Sequence, residues 1–314
     1  MARSAVGPTY TDGIPALIIS DEGPEGAAAE AAVALAGGRG GGRVAWSGAV
    51  ERLDRQGALG LMMVEAEHVP DSLLEEVLPR IAALAEAAGA RIVIALTDRQ
   101  IDLVAAHLLA GRAELLCTPS VADRAAAAAA AMAMAPRPGD RLQDTTRDAE
   151  RLKRLNAEVA RIVKVLARLT RESEATMTTD AEDPAGESGE EMLPEVDPKS
   201  ITARDVRETI RVRRLRDQFF QRGMFEDPAW DMLLDLYAAE LERSQVSVSS
   251  LCIAASVAPT TALRWIAKMT EAGLFVRQAD PFDKRRAYMA LSPAARDGME
   301  GYFVSMKRAG LIVA

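Results

Sequence analysis

Histidine, cysteine and aromatic side chains are scarce in this 314-residue chain, which has two histidines, two cysteines and 4% aromatic residues. With only His68 and His107 available, a histidine-built metal cluster or a Ser-His-Asp hydrolytic triad has little to be assembled from. Cys117 and Cys252 lie far apart, each in an apolar run, and read as buried free thiols rather than a disulfide or a metal pair. Long apolar runs are missing too. The longest uncharged one, residues 125–135, is shorter than the roughly 20 residues a spanning helix needs, and "MARSAVGPTYTDG" lacks the apolar core of a secretion signal. The expectation is a cytoplasmic protein without membrane contact, metal, cofactor or catalytic constellation, and so no enzyme.

An excess of positive charge is also absent: the net charge is −8 and the pI about 5.1. Taken alone this argues against a nucleic-acid binder, which must neutralise phosphates. The acidity is uneven, however. Residues 1–170 carry 19 Lys/Arg against 22 Asp/Glu, residues 171–200 carry 2 against 10, and residues 201–314 carry 17 against 14, giving −3, −8 and +3.

What is present begins with alternation. Between residues 14 and 135 short aliphatic runs ("PALIIS", "RVAWS", "LGLMMVE", "ARIVIALT", "AELLCTP") take turns with helical ones ("GAAAEAAVALAG", "AVERLDRQ", "PDSLLEEVLPRIAALAEAAG", "QIDLVAAHLLAG", "SVADRAAAAAAAMAMA"). Parallel strands need crossover connections, here helical, so the pattern predicts a doubly wound (βα)₅ domain of the flavodoxin-like type over residues 1–136. "GGRGGGR", residues 37–43, lacks the Gly-Lys-Ser/Thr ending of a phosphate-binding loop and reads as a flexible turn. The alanine tract from Ala125 to Ala131 is a strong helix former and asks for no function.

In residues 137–170, Leu152, Leu155, Val159, Ile162, Leu166 and Leu169 recur at spacings of 3 and 4, a coiled-coil seam that buries itself against a second subunit or the protein's own N-terminal domain. Homodimerisation through residues 142–169 is the expectation. Residues 171–200, acidic and rich in Pro, Gly, Ser and Thr, read as a flexible linker with a reach on the order of 30 Å.

Residues 201–314 are mainly helical until two short strands, "LFVRQAD" and "RRAYMALS", and a last helix. Helices followed by a hairpin predict a winged helix. Ser247 or Ser249 can cap its second helix, and Gly273 ends the third, which begins "APTTALRW". A helix-turn-helix lays that helix in the major groove, so Thr260, Thr261, Arg264 and Lys268 are candidate DNA contacts, with Lys284, Arg285 and Arg286 at the hairpin tip reaching the minor groove or backbone. Arg211, Arg213, Arg214 and Arg216 form either a second phosphate-contacting patch or pairs with Glu208 and Asp217.

The stretch "TALRWIAKMTEAGLFVRQADPFDKRRAYMALSPAA" resembles the recognition helix and wing of MarR-like transcription regulators. Asp280, Asp283, Arg285, Leu291 and Ser292 match the wing pattern, while Lys284 stands where glycine is common. Over residues 228–310 the resemblance implies that Arg285 contacts DNA in or near the minor groove and that Asp280 and Asp283 orient wing arginines. The (βα)₅ pattern in turn resembles a response-regulator receiver. Aligned by strand ends, the pocket residues are Asp21 and Glu22, Glu65 in the place of the phosphoacceptor aspartate, Thr97, and Thr118 in the place of the lysine. These two departures imply a pseudo-receiver that does not run the usual aspartyl-phosphate switch and takes a protein or a small ligand as its input.

The resulting expectation is a dimeric regulator that binds a pseudo-palindromic site in double-stranded DNA. The alternative is a signalling adaptor whose winged helix docks proteins.

Overall fold

The computed structural model describes residues 13–109, 112–135, 197, 200–220, 224–280, 282–283 and 285–311. The expected coiled-coil seam, most of the expected acidic linker, and Lys284 lie outside the described residues. Residues of the N-terminal and C-terminal thirds belong to one compact unit.

The N-terminal half is a five-stranded sheet built from β1 (Pro15–Ile19), β2 (Arg39–Val44), β3 (Leu61–Glu65), β4 (Arg91–Leu96) and β5 (Ala113–Cys117). All its pairings are parallel and the order is β2-β1-β3-β4-β5. Between the strands run α1 (Pro24–Leu35), α2 (Ala49–Asp54), α3 (Asp71–Ala88) and α4 (Ile101–Leu108), and α5 (Val121–Ala133) follows β5. Successive strand residues face opposite sides, which gives the sheet two apolar faces. Ala16, Ile18, Leu61 and Met63 pack under α1 and α5, while Leu17, Ile19, Met62 and Val64 pack under α2, α3 and α4. Chain order reverses at β1, so a crevice opens at the carboxyl ends of β1 and β3.

Residues 39–43 are not the flexible turn expected of "GGRGGGR": they form the edge strand β2. The glycines are needed for contact. A Cβ on Gly41 would sit 2.7 Å from the Ala16 carbonyl oxygen, and Gly42 has φ 100°, beside a register shift in the β1–β2 pairing. Close backbone approach at an irregular edge is where a strand uses glycine.

The C-terminal half comprises α6 (Ala203–Leu215), α7 (Pro228–Glu242), β6 (Val246–Ser247), α8 (Val248–Ala254), α9 (Pro259–Glu271), β7 (Phe275–Ala279), β8 (Ala287–Leu291) and α10 (Pro293–Arg308). The strands form an antiparallel sheet in the order β6-β8-β7. Of the two candidate caps, Ser247 takes the position, accepting from the Ser250 amide at 3.1 Å. Gly273, at φ 72°, follows the end of α9. Among the described residues no ion pair joins Arg211, Arg213, Arg214 or Arg216 to Glu208 or Asp217: Arg213 pairs with Asp231 and Asp227, while Arg214 and Arg216 donate to the carbonyls of Ala254 and Phe225. One apolar cluster continues from the α3–α4 side of the parallel sheet into the C-terminal half, taking in Leu103, Cys252, Ile266 and Phe275.

Candidate nucleic-acid interface

Helices α8 and α9 meet at a bend of 109° across a four-residue turn, residues 255–258, in which Ser256 takes a left-handed φ of 57°. A bend of about 90–120° over so short a turn is helix-turn-helix geometry. Pro259 opens α9, where its missing N–H costs nothing, and Ala262, Leu263, Ile266 and Met269 are buried. That leaves Thr261, Arg264 and Lys268 exposed on the other side and Thr260 half-buried. The Lys268 ammonium lies 4.6 Å from the Trp265 ring centroid.

The wing between β7 and β8 is organised by its aspartates. Asp280 accepts from the amides of Phe282 (2.8 Å) and Asp283 (3.2 Å) and from the Tyr288 hydroxyl (2.9 Å). The Phe282 amide first, then the tyrosine and after it the Asp283 amide, hold its carboxyl below the usual range. Asp283 accepts from the Arg285 amide at 3.0 Å and lies 3.6 Å from Arg286 Nε. Arg285 and Arg286 are exposed, and so is Phe282, at 97%.

Parts of both elements also contact the N-terminal half, although Arg264 and Arg285 stay exposed. Helix α9 covers the free edge of β5, as sheet edges are often covered. There Thr260 Oγ1 accepts from the Cys117 amide at 2.8 Å, and Arg264 pairs with Glu114 on β5, its Nη2 2.5 Å from Oε1. Ser249, at the start of α8, donates to Asp102 of α4 through its amide (2.9 Å) and its hydroxyl (2.5 Å). Arg277 of β7 donates to the carbonyls of Ala105 and Ala106, near the α4 C-terminus, where a cation is favoured. Arg285 Nε lies 2.5 Å from Glu75 Oε1 of α3, close enough to pair but without hydrogen-bond alignment.

At the crevice end of the parallel sheet, Glu65 is buried and held by Arg124 of α5. Arg124 Nε reaches Glu65 Oε1 at 3.0 Å, and Nη2 reaches Oε2 at 2.7 Å. Nη2 also reaches Glu67 at 2.6 Å, and Nη1 donates to the Pro119 carbonyl. Burial pushes the Glu65 carboxyl up against the opposing pull of Arg124. Burial also works to lower the Arg124 guanidinium, but the bonds to Glu65 and Glu67 outweigh it and raise it.

Trp46 ties Glu65 to one other expected pocket residue, Asp21: its amide donates to Asp21 (3.0 Å) and its indole to the Glu65 carbonyl (2.9 Å). Glu22 is exposed, and Thr97 joins Gln100 in a capping box. Thr118 stands exposed at φ 43°, a conformation rare for a β-branched residue. Among the described residues, no hydrogen bond or ion pair of the Glu65 carboxylate reaches Asp21, Glu22, Thr97 or Thr118. Arg124 went unnoticed in the sequence, where its one signal is a lone basic residue at the head of an alanine tract.

No family model and no curated protein matches the chain. Among solved structures it is similar to a probable transcriptional regulator from Pseudomonas aeruginosa, with 23% identity over 34% of this chain and 75% of that one and a TM-score of 0.22. It is also similar to S. aureus MepR bound to ethidium bromide (17%; 36% and 83%; 0.24) and to transcriptional regulator Tm0710 from Thermotoga maritima (18%; 34% and 70%; 0.23). These neighbours are MarR-family transcriptional regulators. At such TM-scores the likeness assigns no function.

Proposed function

We propose that this chain is a DNA-binding transcription regulator of the MarR-like winged-helix kind, and that the arrangement described is its closed form. The observation that carries the reading is the pairing of the two foremost DNA-contacting candidates. Arg264 meets Glu114 and Arg285 meets Glu75, each at 2.5 Å, so that carboxylates of the N-terminal half take the positions of phosphate oxygens. Half-exposed pairs of this kind contribute little stability, about 0–1 kcal/mol each. They set the register of the seam, and apolar contact supplies most of its strength. Once released, α9 offers Thr260, Thr261, Arg264 and Lys268 to the major groove, and the wing brings Lys284, Arg285 and Arg286 to the minor groove or backbone.

The N-terminal half is then a pseudo-receiver. Both oxygens of the buried Glu65 carboxylate are engaged by Arg124, which supports reading the domain as a docking body that does not use Glu65 as a phosphoryl acceptor. Dimerisation through residues 142–169 and a pseudo-palindromic site complete the proposal.

The same seam favours a second reading, in which the winged helix is a protein-docking module, because the partner of α9 here is a protein surface. Selection of bound fragments from genomic DNA separates the two. The full chain and its Glu114→Arg, Glu75→Arg variant are each taken through selection, and a shared motif is expected, more strongly enriched by the variant. Arg285→Ala in that background is expected to weaken binding and to reduce the salt slope by about one charge. If neither chain enriches a motif and neither shows salt-dependent retention of DNA, the regulator reading fails.

A further inference from the structure

Along the seam lies a cleft of about 350 Å³, bounded by the amino-terminal ends of β4 and β5, the end of α5 and the side of α9. Its size is at the lower end of the range of about 300–1,000 Å³ typical of small-molecule sites. The charged side chains around it are Arg91, Arg112, Arg264 and Lys268 against Glu114 and Glu271, four cations to two carboxylates, over an apolar floor that includes Leu115 and Leu263. Glu114 is taken by Arg264. Arg91 donates to the Met134 sulfur at 3.2 Å, Arg112 to the Gly89 carbonyl at 3.1 Å, and Lys268 rests over an indole ring. Among the described residues none of these three has a carboxylate partner. Against them stands Glu271, the one carboxylate of the cleft not taken by Arg264. An apolar floor beside three cations without a carboxylate partner fits a small organic anion with an apolar body and a single carboxylate or phosphate group.

We infer that this cleft binds such an anion and that the anion holds the closed form. The direction follows from where the wall residues come from. Arg91 and Arg112 belong to the N-terminal half, Arg264 and Lys268 to α9, so the whole site exists only while the halves are together. A ligand shifts a two-state equilibrium toward the state it binds better, and here that state is the closed one. By reciprocity, DNA that captures α9 expels the anion by the same factor. The regulatory half of this inference rests on the DNA-binding reading above; the binding site itself does not.

The test uses the full chain, 1-naphthoate and 1-naphthyl phosphate as anionic probes, and 1-naphthamide as a neutral molecule of the same shape. The anions are expected to bind by calorimetry and to raise the melting temperature, the amide to do neither. Arg91→Gln with Arg112→Gln, both outside the DNA-contacting set, is expected to lower anion affinity about tenfold or more, while Arg112→Lys retains most of it. A DNA titration with saturating naphthoate should then shift to higher protein concentration, and the shift should vanish in the double variant. Absence of anion binding, equal binding of the amide, or binding indifferent to the double variant would overturn the site. Anion binding of the expected kind with an unmoved DNA titration would overturn the coupling alone. Anion binding by a chain that retains no DNA under any condition would leave the site standing and sink the regulator reading instead.

Discussion

Ser249 and Asp102 stand 147 positions apart in the chain, yet the serine hydroxyl donates to Oδ2 at 2.5 Å and the serine amide to Oδ1 at 2.9 Å. One carboxylate thereby anchors the first turn of α8 to the first turn of α4. Hydrogen bonds to a charged acceptor contribute about 1.5–3 kcal/mol, so Asp102→Ala should lower unfolding stability by roughly that amount. Asp102→Asn, which retains an acceptor for the amide, should lose less. Urea unfolding gives the energies, and amide exchange of α8 faster than that of α3 would locate the loss at the seam. Unchanged exchange in α8 would mean the bond has no part in holding the halves together.

Arg124 is the counterpart inside the N-terminal half. Its side chain is 5% exposed and that of Glu65 is 2%, so Arg124→Ala leaves a buried carboxylate without its cation, a loss of about 3–5 kcal/mol. Arg124→Lys should recover only part of it, since an ammonium cannot reproduce the two-pronged contact. The pH dependence has a definite sign. The Glu65 carboxyl is already pushed up by burial, and without Arg124 it rises further. A carboxyl raised in the folded state favours folding at low pH and loses that contribution as pH climbs through the folded value. The deficit of Arg124→Ala relative to the parent chain should therefore shrink on acidification, measured as urea midpoints between neutral and mildly acidic pH. A deficit that grows in acid would contradict the assignment.

How much of this was legible in the sequence depended on the range of the interaction. The five parallel strands follow from local apolar runs such as "LMMVE" and "RIVIAL", and the wing from its aspartate spacing and the flanking strands. Only the end of β2 was legible, in "RVAWS"; its start at Arg39 was not, because the glycines look like a turn until Ala16 supplies the backbone they must approach. Strand β6, two residues long, has no period of its own and exists only against Met289 and Tyr288. Arg124 and Glu65 are 59 positions apart, Thr260 and Cys117 are 143, and Arg264 and Glu114 are 150. The cations of α9 and the wing are legible in the sequence, whereas the acids of the other half that lie against two of them are not, because they are brought there only by the fold.

His107, in the last turn of α4, gives the seam a response to pH. Burial first, then the charge of Arg277, lowers its pKa from the ordinary 6.5, with Glu75 opposing. The unfolded chain therefore binds this proton more readily than the folded one, and stability falls as pH drops from about 6.5 through the folded value. Protonated His107 also faces Arg277, whose guanidinium holds the α4 carbonyls, so the loss should appear at the seam. Since the chain has only two histidines, an NMR titration can read His107 directly, with His107→Gln for assignment. A midpoint at or above 6.5 would refute the predicted direction.

The two thiols report on whether the seam opens at all. Cys117 is pushed up to about 12 by burial and then by Asp98, whose carboxylate it meets at 2.8 Å, and Cys252 is pushed up to about 12 by burial and then by Asp102 and Asp98. Only the thiolate reacts, and at pH 8 a group titrating near 12 is ionised to roughly one part in ten thousand. Native labelling with iodoacetamide should be slow at both positions and become fast in urea. Cys117 ends the strand whose amide is taken by Thr260, and Cys252 lies in α8, so separating the halves uncovers both together. Glu114→Arg with Glu75→Arg should accelerate labelling of both while lowering the unfolding free energy only modestly, the two lost half-exposed ion pairs contributing about 0–1 kcal/mol each and the new like-charge contacts being screened at the surface. Mass spectrometry of each cysteine peptide over time distinguishes the cases. Coupled acceleration means a seam that opens as a unit, whereas rates unchanged from the parent chain mean that α9 stays on β5 and is not released to meet a groove.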